Sequence, residues 1–500
     1  MNVARLAQEN IGRFGEYVSI VYEDKEYTNV QIELDGRRFG SALKSIGVER
    51  GDRIIIQLPN SPEVLCAFQA IFKIGAVVVP INFLVGHDEL VHIYRDSGTT
   101  TVITSVEFLD KVVAARAEAP NLKNVILVDG TAPDMLSYAD MVASGVDKLE
   151  TLETDDDEMA ALIYTAGTTG KPKGVMLTHK ALYANAHNQY NTVNPGPDAI
   201  NITALPLSHS YGIALMNGTL LNGNKTVLLR WFNLEKYFEA MQKYKTVATT
   251  AVPTMYIYML LYPDADKYDI SSMKFWAYGS APMSNDHIKQ MQQKFGGFIV
   301  EGWGLTEAGG NNSLNTLAGF NKMGSIGTPM SGVEMKIFDE DGGELTQGEI
   351  GEIVIRGDML MKGYWNMPEQ TAEVLRDGWL YTGDVGYVDE EGYFYITDRK
   401  KDMLIKGGEN IFPREVENVL MDHASVSEAA VIGIPDDKYG ENIKAFVVLK
   451  PNQKTSDEEL IAHCKDKLGS FKAPKTVQFM DVLPKNVMGK ILKKELRKLD

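Results

Sequence analysis

The sequence predicts an α/β protein: a large N-terminal domain of stacked α/β sheets plus a small β-barrel, followed by a small α+β C-terminal domain. Three observations carry that expectation. Short apolar runs alternate with helical patterns through the first half of the 500 residues. Short strands joined by Asp-Gly and Glu-Gly turns take over after about residue 330, and helices and strands mix again beyond about 400. The length alone exceeds what a single core serves.

Taken in order, segments 52–58, 75–80, 100–104 and 124–128 are apolar runs that predict buried, largely parallel strands, with helical patterns over 62–72 and 89–96 between them. The rhythm continues through strands at 160–164, 247–252, 274–279 and 297–302. Segments 334–339, 351–356 and 392–397 are short strands with tight turns, the pattern of antiparallel structure. Pro413 opens a helix with Val416, Val419 and Leu420 on one face, and 429–434 and 445–449 read as strands. Ser456-x-x-Glu459 predicts a capping box before a helix carrying Leu460, Ile461, Cys464 and Leu468. Residues 491–497 read as a basic amphipathic helix.

A content of 44% hydrophobic and 23% charged residues places the chain among ordinary globular proteins. The formal charge of −17 argues against nucleic acid or an anionic membrane as main partner, while leaving room for anionic small ligands at local basic loops. Cys66 and Cys464 sit in apolar patterns and read as buried, inert thiols in a reducing compartment. Residues 1–10 lack the apolar core of a signal peptide, and the closing Lys498-Leu499-Asp500 is no peroxisomal address. The apolar stretch 70–86 carries Lys73 and Pro80, so it reads as helix end, turn and buried strand and not as a membrane span. A cytoplasmic protein without a transmembrane segment is expected. The sequence is silent on oligomeric state and compatible with a homodimer.

The richest stretch for function is 164–175. Gly167, Gly170 and Gly174, Thr165, Thr168 and Thr169, and Lys171 and Lys173 crowd together just after a predicted strand. Glycines let backbone N–H groups approach phosphate oxygens, and hydroxyls and ammonium groups add donors, so the loop reads as a polyphosphate cradle. It is not the common nucleotide loop, because Thr165 and Pro172 stand where that pattern needs glycine and a hydroxyl. Further along come Pro206-Leu-Ser-His-Ser-Tyr-Gly212, Tyr278-Gly-Ser-Ala-Pro282, Glu301-Gly-Trp-Gly-Leu-Thr-Glu307, Tyr381-Thr-Gly-Asp384, Asp398-Arg-Lys-Lys-Asp402, Ile405-Lys-Gly-Gly-Glu-Asn-Ile411 and Pro484-Lys-Asn-Val-Met-Gly-Lys490. Alone, each has a bland reading: a core histidine, a strand-end turn, a turn aspartate, a solvated charge run, a surface lysine.

These stretches, in this order, resemble the adenylate-forming enzymes: acyl-CoA synthetases, firefly luciferase and peptide-synthetase adenylation domains. The likeness is greatest to a bacterial fatty-acyl-CoA synthetase. The resemblance implies ATP, Mg²⁺ and CoA as ligands. It implies that residues 165–173 grip the β,γ-phosphates and that Gly279, Ser280, Ala281, Glu301, Gly302 and Trp303 receive adenine. Thr306 would contact the α-phosphate, and Glu307 with Thr165 would hold Mg²⁺, hard oxygen donors suited to that ion. Asp384 would accept from both ribose hydroxyls, Arg399 would contact ribose or phosphate, and Lys490 would enter the site for adenylation. His209 would orient or gate the acyl carboxylate. It need not act as base, because carboxylates are already ionised at neutral pH.

The resemblance also implies two domains, 1–399 and 402–500, with a hinge at Lys401. Gly407 and Gly408 would line the pantetheine tunnel, and Tyr439, Phe471 and Lys472 would meet the CoA nucleotide. Departures from the family pattern are Trp303 for the usual tyrosine, Ala166 for serine, and Ala473 where some relatives have arginine. The expected reaction is ATP-dependent, AMP-forming acyl-CoA synthesis on a medium- or long-chain fatty acid. The alternatives are an aryl or alicyclic acid, or an enzyme passing its acyl-adenylate to another acceptor. Apolar acyl-pocket candidates are Tyr211, Met216, Trp231, Val252, Met255, Tyr256 and Tyr278, with Gly302 and Gly304 beside them and His209 at the entrance.

Overall fold

Two twisted sheets with helices between and outside them form the body of the molecule, seen here in a computed structural model that describes residues 1–165, 171–315, 322–485 and 491–499. The first sheet has eight strands in the order Gly363–Tyr364, Lys173–Thr178, Met159–Thr165, Val77–Pro80, Arg53–Ile56, Thr101–Thr104, Asn124–Leu127, Leu136–Ser137. The second has nine, running from Thr328–Pro329 through Gly310–Leu314, Phe298–Leu305, Phe275–Tyr278, Ala248–Ala251, Ile200–Thr203 and Lys225–Leu228 to the hairpin Val18–Tyr22 and Lys25–Thr28. Their central neighbours pair in parallel, as the uninterrupted apolar runs predict.

Alternation along each strand explains the layering. Ile54 and Ile56 enter one hydrophobic core with Phe39, Phe68, Leu182 and Ile213, while Ile55 enters another with Val91 and Val112. In the second sheet Ile20 joins the shared core and Val21 joins a third, with Phe238, Tyr256 and Met291. Helices Asn29–Ser45, Pro62–Lys73, His179–Thr192 and Ser210–Asn222 therefore lie between the sheets, and the rest of the helical layers cover the outer faces. Pro62–Lys73 is buried on all sides except at Glu63, which accounts for its unbroken apolar sequence. Its one cation, Lys73, is fully buried and pairs with Glu33 at 2.8 Å. The stretch 70–86 is thus helix end, turn and buried strand, and no helix among the described residues is long and apolar enough to cross a membrane.

The expected barrel takes the form of an antiparallel sheet: Glu334–Phe338, Gly351–Arg356, Trp379–Val388 and Leu375–Arg376, with Phe394–Arg399 added beside Trp379–Val388. The C-terminal residues build a separate sheet around the long hairpin of Val426–Asp436 and Gly440–Leu449. Its core draws on Leu404, Val416, Leu420, Val431, Leu460 and Cys464, all from beyond residue 400. Both cysteines are buried free thiols, and burial pushes each up from its ordinary value. Asp398 accepts from the backbone N–H of Arg414 at 2.7 Å, tying the end of the third sheet to the first turn of helix Pro413–Met421.

Three elements differ from expectation. The strand predicted at 297–302 runs on to Leu305, because residues 302–305 pair with Gly310–Leu314 across an irregularity between Trp303 and Gly304. A side chain at 304 would put its Cβ 1.8 Å from the Gly310 carbonyl oxygen, so only glycine allows the two backbones this close. The Ser456 cap forms, accepting from Glu459 N–H at 3.2 Å, but the Glu459 carboxylate binds the Thr455 hydroxyl instead of closing the box. The last predicted helix shrinks to Lys493–Leu496 plus one tight turn. Leu492 N–H bonds the Pro484 carbonyl at 2.8 Å, and Ile491 bridges to Lys485, which holds the start of the segment extended.

Candidate active site

Strand Met159–Thr165 delivers half-buried Thr165 to the sheet edge, directly opposite Lys173 on the returning strand. Gly167, Thr168, Thr169 and Gly170 lie outside the described residues; Lys171 is exposed. The Lys173 ammonium sits 4.8 Å from the centre of the Tyr364 ring, and the Tyr364 hydroxyl donates to Glu307 Oε1 at 3.0 Å. Burial, with the Glu307 carboxylate beside it, pushes this phenol well up, so it stays a neutral donor. Tyr364 was not among the sequence candidates. It arrives because Gly363–Tyr364 pairs with Lys173–Thr178, and a two-residue strand leaves no periodic signal to read.

Strand Phe298–Leu305 and the turn Thr306–Ala308 carry the next group. Thr306 is buried and its hydroxyl lies 3.2 Å from that of Ser210, the first residue of helix Ser210–Asn222. His209 caps that helix, its Nδ1 accepting the Tyr211 N–H at 3.3 Å. Burial lowers the imidazole to about 4, so the ring is neutral at pH 7. Trp303 is buried, and its indole Nε1–H donates to Asp384 Oδ2 at 2.9 Å. Asp384 Oδ1 meets Arg399 Nε at 2.5 Å, the two residues facing each other on adjacent strands. Tyr278 and Glu301 are also direct neighbours across strands, the phenol donating to Glu301 Oε2 at 2.8 Å. Burial raises the Glu301 carboxyl, and the charge of Arg414 partly opposes that rise.

The small residues after strand Phe275–Tyr278 fit a narrow slot: a Cβ on Gly279 would lie 2.8 Å from the Gly302 carbonyl oxygen, and Ser280 turns the chain at φ +69°. Of the acyl-pocket candidates, Tyr211 is half-buried and bonds the Thr250 hydroxyl at 2.9 Å, and Val252 is half-buried just before helix Pro253–Leu261. Gly302 faces Leu314 and Asn311 at ordinary contact distances. Two of the others lie apart. Trp231 is exposed, with the Arg230 guanidinium 4.7 Å from its ring. Met216 lines a pocket of about 50 Å³ with Ile20, Leu65 and Phe68, whereas Met255 and Tyr256 pack in the same core as Tyr278, with Tyr211 and Val252 against it.

Beyond the turn at 400–402 the expected CoA residues come together. Gly407 adopts φ +57° and its N–H bonds the Tyr439 carbonyl at 2.8 Å; a Cβ there would press on the rings of Tyr439 and Phe471 at 3.3 and 3.5 Å. Those rings meet edge to face at 6.1 Å, with the Lys406 ammonium 5.0 Å from the centre of the phenylalanine. Gly408, at φ +86°, has open space around it. Phe471 and Lys472 reach this place because Gly469, at φ +78°, breaks the helix beneath them. Lys472 pairs with Glu415 at 2.8 Å. Lys401 lies exposed in the connecting turn, where Lys400 N–H bonds the Gly383 carbonyl and Asp402 N–H that of Arg399. Lys490 lies outside the described residues.

Glu307 offers a hard oxygen with one carboxylate oxygen held by Tyr364, and no cluster of three or more metal-ligating His, Cys, Asp or Glu side chains occurs among the described residues. That donor set fits Mg²⁺, which keeps most of its waters and shares phosphate oxygens with a nucleotide, better than an ion needing an all-protein cage.

With this geometry in view, residues 7–365 match the AMP-binding enzyme family model and residues 415–490 match the AMP-binding enzyme C-terminal domain. The chain belongs to this family. It is 37% identical to a long-chain-fatty-acid–CoA ligase of Bacillus subtilis (strain 168), over 98% of this chain and 92% of that protein. It is 38% identical to a feruloyl-CoA synthase of an Amycolatopsis species, over 92% and 91%. Among solved structures, ATP-bound MatB from Rhodopseudomonas palustris superposes with a TM-score of 0.93 at 31% identity, covering 100% of this chain and 99% of that one. The apo form of the same protein gives 0.81.

Proposed function

We propose that the protein is an AMP-forming acyl-CoA ligase, converting a carboxylic acid, ATP and CoA to acyl-CoA, AMP and pyrophosphate. The observation that carries this reading is the Trp303–Asp384–Arg399 cluster, a flat face joined to a carboxylate suited to a ribose, with Trp303 on the strand that leads into the turn of Thr306 and Glu307. Both relatives quoted above are named as CoA-thioester synthesising enzymes, which supports the acceptor.

In the first half-reaction a carboxylate oxygen attacks the α-phosphorus of ATP. The bond to the bridging oxygen breaks, giving acyl-AMP and pyrophosphate. Thr165, residues 167–170, Lys171 and Lys173 would hold the β- and γ-phosphates, Thr306 the α-phosphate, and Asp384 the ribose. Glu307 with Thr165 would hold Mg²⁺, which supplies charge neutralisation at the phosphates. His209, neutral at pH 7, orients the acid and takes no proton from it. Lys490 adds a positive charge at the α-phosphate. In the second half-reaction the CoA thiolate attacks the acyl carbon, and the acyl–phosphate bond breaks to release AMP. Gly407 and Gly408 would pass the pantetheine arm, with Tyr439, Phe471 and Lys472 at the CoA nucleotide. The units 1–399 and 402–500 exchange these roles by rotation at Lys401, a hinge transition. The closer superposition on the ATP-bound MatB structure than on its apo form supports reading the present arrangement as the adenylating one.

The substrate we favour is a medium- or long-chain fatty acid, from the apolar character of Val252, Tyr278 and Leu314 around the glycines. An aryl acid is the second reading, because the Tyr211–Thr250 hydroxyl pair offers a ring substituent a polar partner. The buried free thiols support a cytoplasmic setting. The deciding experiment assays fatty, aryl and alicyclic acids for pyrophosphate release with and without CoA. The expected outcome is AMP and acyl-CoA in equal amounts with one class preferred. CoA-independent turnover to another product would sink the ligase reading.

A further inference from the structure

We propose that the indole N–H of Trp303 sets the two oxygens of Asp384 for the ribose cis-diol, which makes Trp303 a positioning residue for the nucleotide as well as a face for its base. This inference rests on the AMP-forming reading above.

Asp384 is 2% exposed, and a carboxylate so buried must be met by donors. Among the described residues each of its oxygens has one side-chain partner: Oδ2 accepts from Trp303 Nε1–H at 2.9 Å, and Oδ1 is ion-paired with Arg399, whose Nε lies 2.5 Å away. A carboxylate oxygen accepts about two hydrogen bonds, so one acceptor direction stays free on each. A vicinal diol brings two O–H donors, which is the number left over. The backbone fixes the same residue, since Asp384 N–H bonds the Thr382 hydroxyl at 3.1 Å.

The two partners differ in permanence. Arg399 ends strand Phe394–Arg399 and is two residues from the proposed hinge, with its side chain 37% exposed. Trp303 lies inside the second sheet, at the pairing irregularity that fixes its direction, and is 8% exposed. Rotation at residue 401 can disturb the arginine arm, whereas the tryptophan arm belongs to the stationary sheet. Indole is suited to this because its N–H only donates, so it cannot turn an acceptor toward the carboxylate. Phenylalanine would keep the flat face and lose the donor.

The test separates the donor from the face. Trp303→Phe is compared with wild type for calorimetric binding of AMP and of 2′,3′-dideoxy-AMP, which lacks the diol but keeps base and phosphate. The expected result is a Kd for AMP raised about tenfold, as for loss of a hydrogen bond to a charged group, with Kd for the dideoxy nucleotide changed less than about twofold. An equal loss for both nucleotides overturns the proposal, because Trp303 would then act through stacking or packing alone. If Trp303→Phe does not fold, Trp303→Tyr enters the same comparison, and a penalty blind to the diol again overturns it. Wild type that binds AMP and dideoxy-AMP equally, or forms no acyl-AMP from any acid, strikes the ligase reading itself and is distinguishable from either result.

Discussion

At Glu307 the Tyr364 hydroxyl donates to one carboxylate oxygen and leaves the other for the proposed ion, so a residue named by its motif has a partner no motif names. Trp303, Thr306, Glu307 and Asp384 were legible as site candidates because the motifs that carry them resemble a family pattern. Tyr364 was not, since what brings it to the site is strand pairing with a segment far away in sequence. His209 shows a similar limit: its place was readable, whereas its lowered proton affinity comes from burial, which only the fold creates. His179, buried with its Nδ1 accepting from Val3 N–H, is likewise held to about 4. Between about 4 and the ordinary histidine value of 6.5 the unfolded chain binds protons at these two rings and the folded chain does not. Stability therefore rises with pH across that window and is lost as pH falls through it. The expected outcome is a melting temperature that drops steeply between pH 6.5 and 4.5, with a shallower drop in His179→Gln. Parallel curves for the two proteins would refute the assignment.

Among the elements, strands such as Arg53–Ile56, Val77–Pro80, Thr101–Thr104 and Asn124–Leu127 were legible as apolar runs because they are covered on both faces, whereas the more exposed Lys25–Thr28 left no such run. The ends were less so. Strand Phe298–Leu305 outran its apolar segment because its last residues are held by pairing with Gly310–Leu314 and not by side-chain burial. The final helix fell short because backbone bonds to residues 484 and 485 compete for its first turn. The strand's continuation rests on Gly304, where an added Cβ would meet a carbonyl oxygen at 1.8 Å. Gly304→Ala is expected to destabilise the protein by at least about 2 kcal/mol in denaturant unfolding and to weaken AMP binding with it. Unchanged unfolding would mean that the two strands separate at no cost.

For the whole molecule, the succession of layers was readable from the order of patterns, while the division of labour between its two ends is a proposal with its own test. Lys490→Ala is expected to abolish acyl-AMP formation and leave thioester formation from supplied acyl-AMP largely intact. Gly408→Leu should spare ATP–pyrophosphate exchange and block the CoA step, since side-chain bulk would fill the space now open there. Equal loss of both half-reactions in either variant would rule out the exchange of roles about Lys401. The acyl substrate was the least legible property: of seven aromatic and apolar candidates, Trp231 faces solvent and Met216 lines a pocket with Ile20, Leu65 and Phe68, away from the glycines.

The short continuous stretch from Trp303 through Thr306 to Glu307 has no loop in it to absorb error. On the roles proposed for these residues, base, α-phosphate and metal would be gauged along a single ruler. A nucleotide whose base sits askew on it would then meet the metal carboxylate out of line with its phosphates. On the proposed roles, fidelity toward ATP would be enforced in the rate of the chemical step, even for impostors that bind.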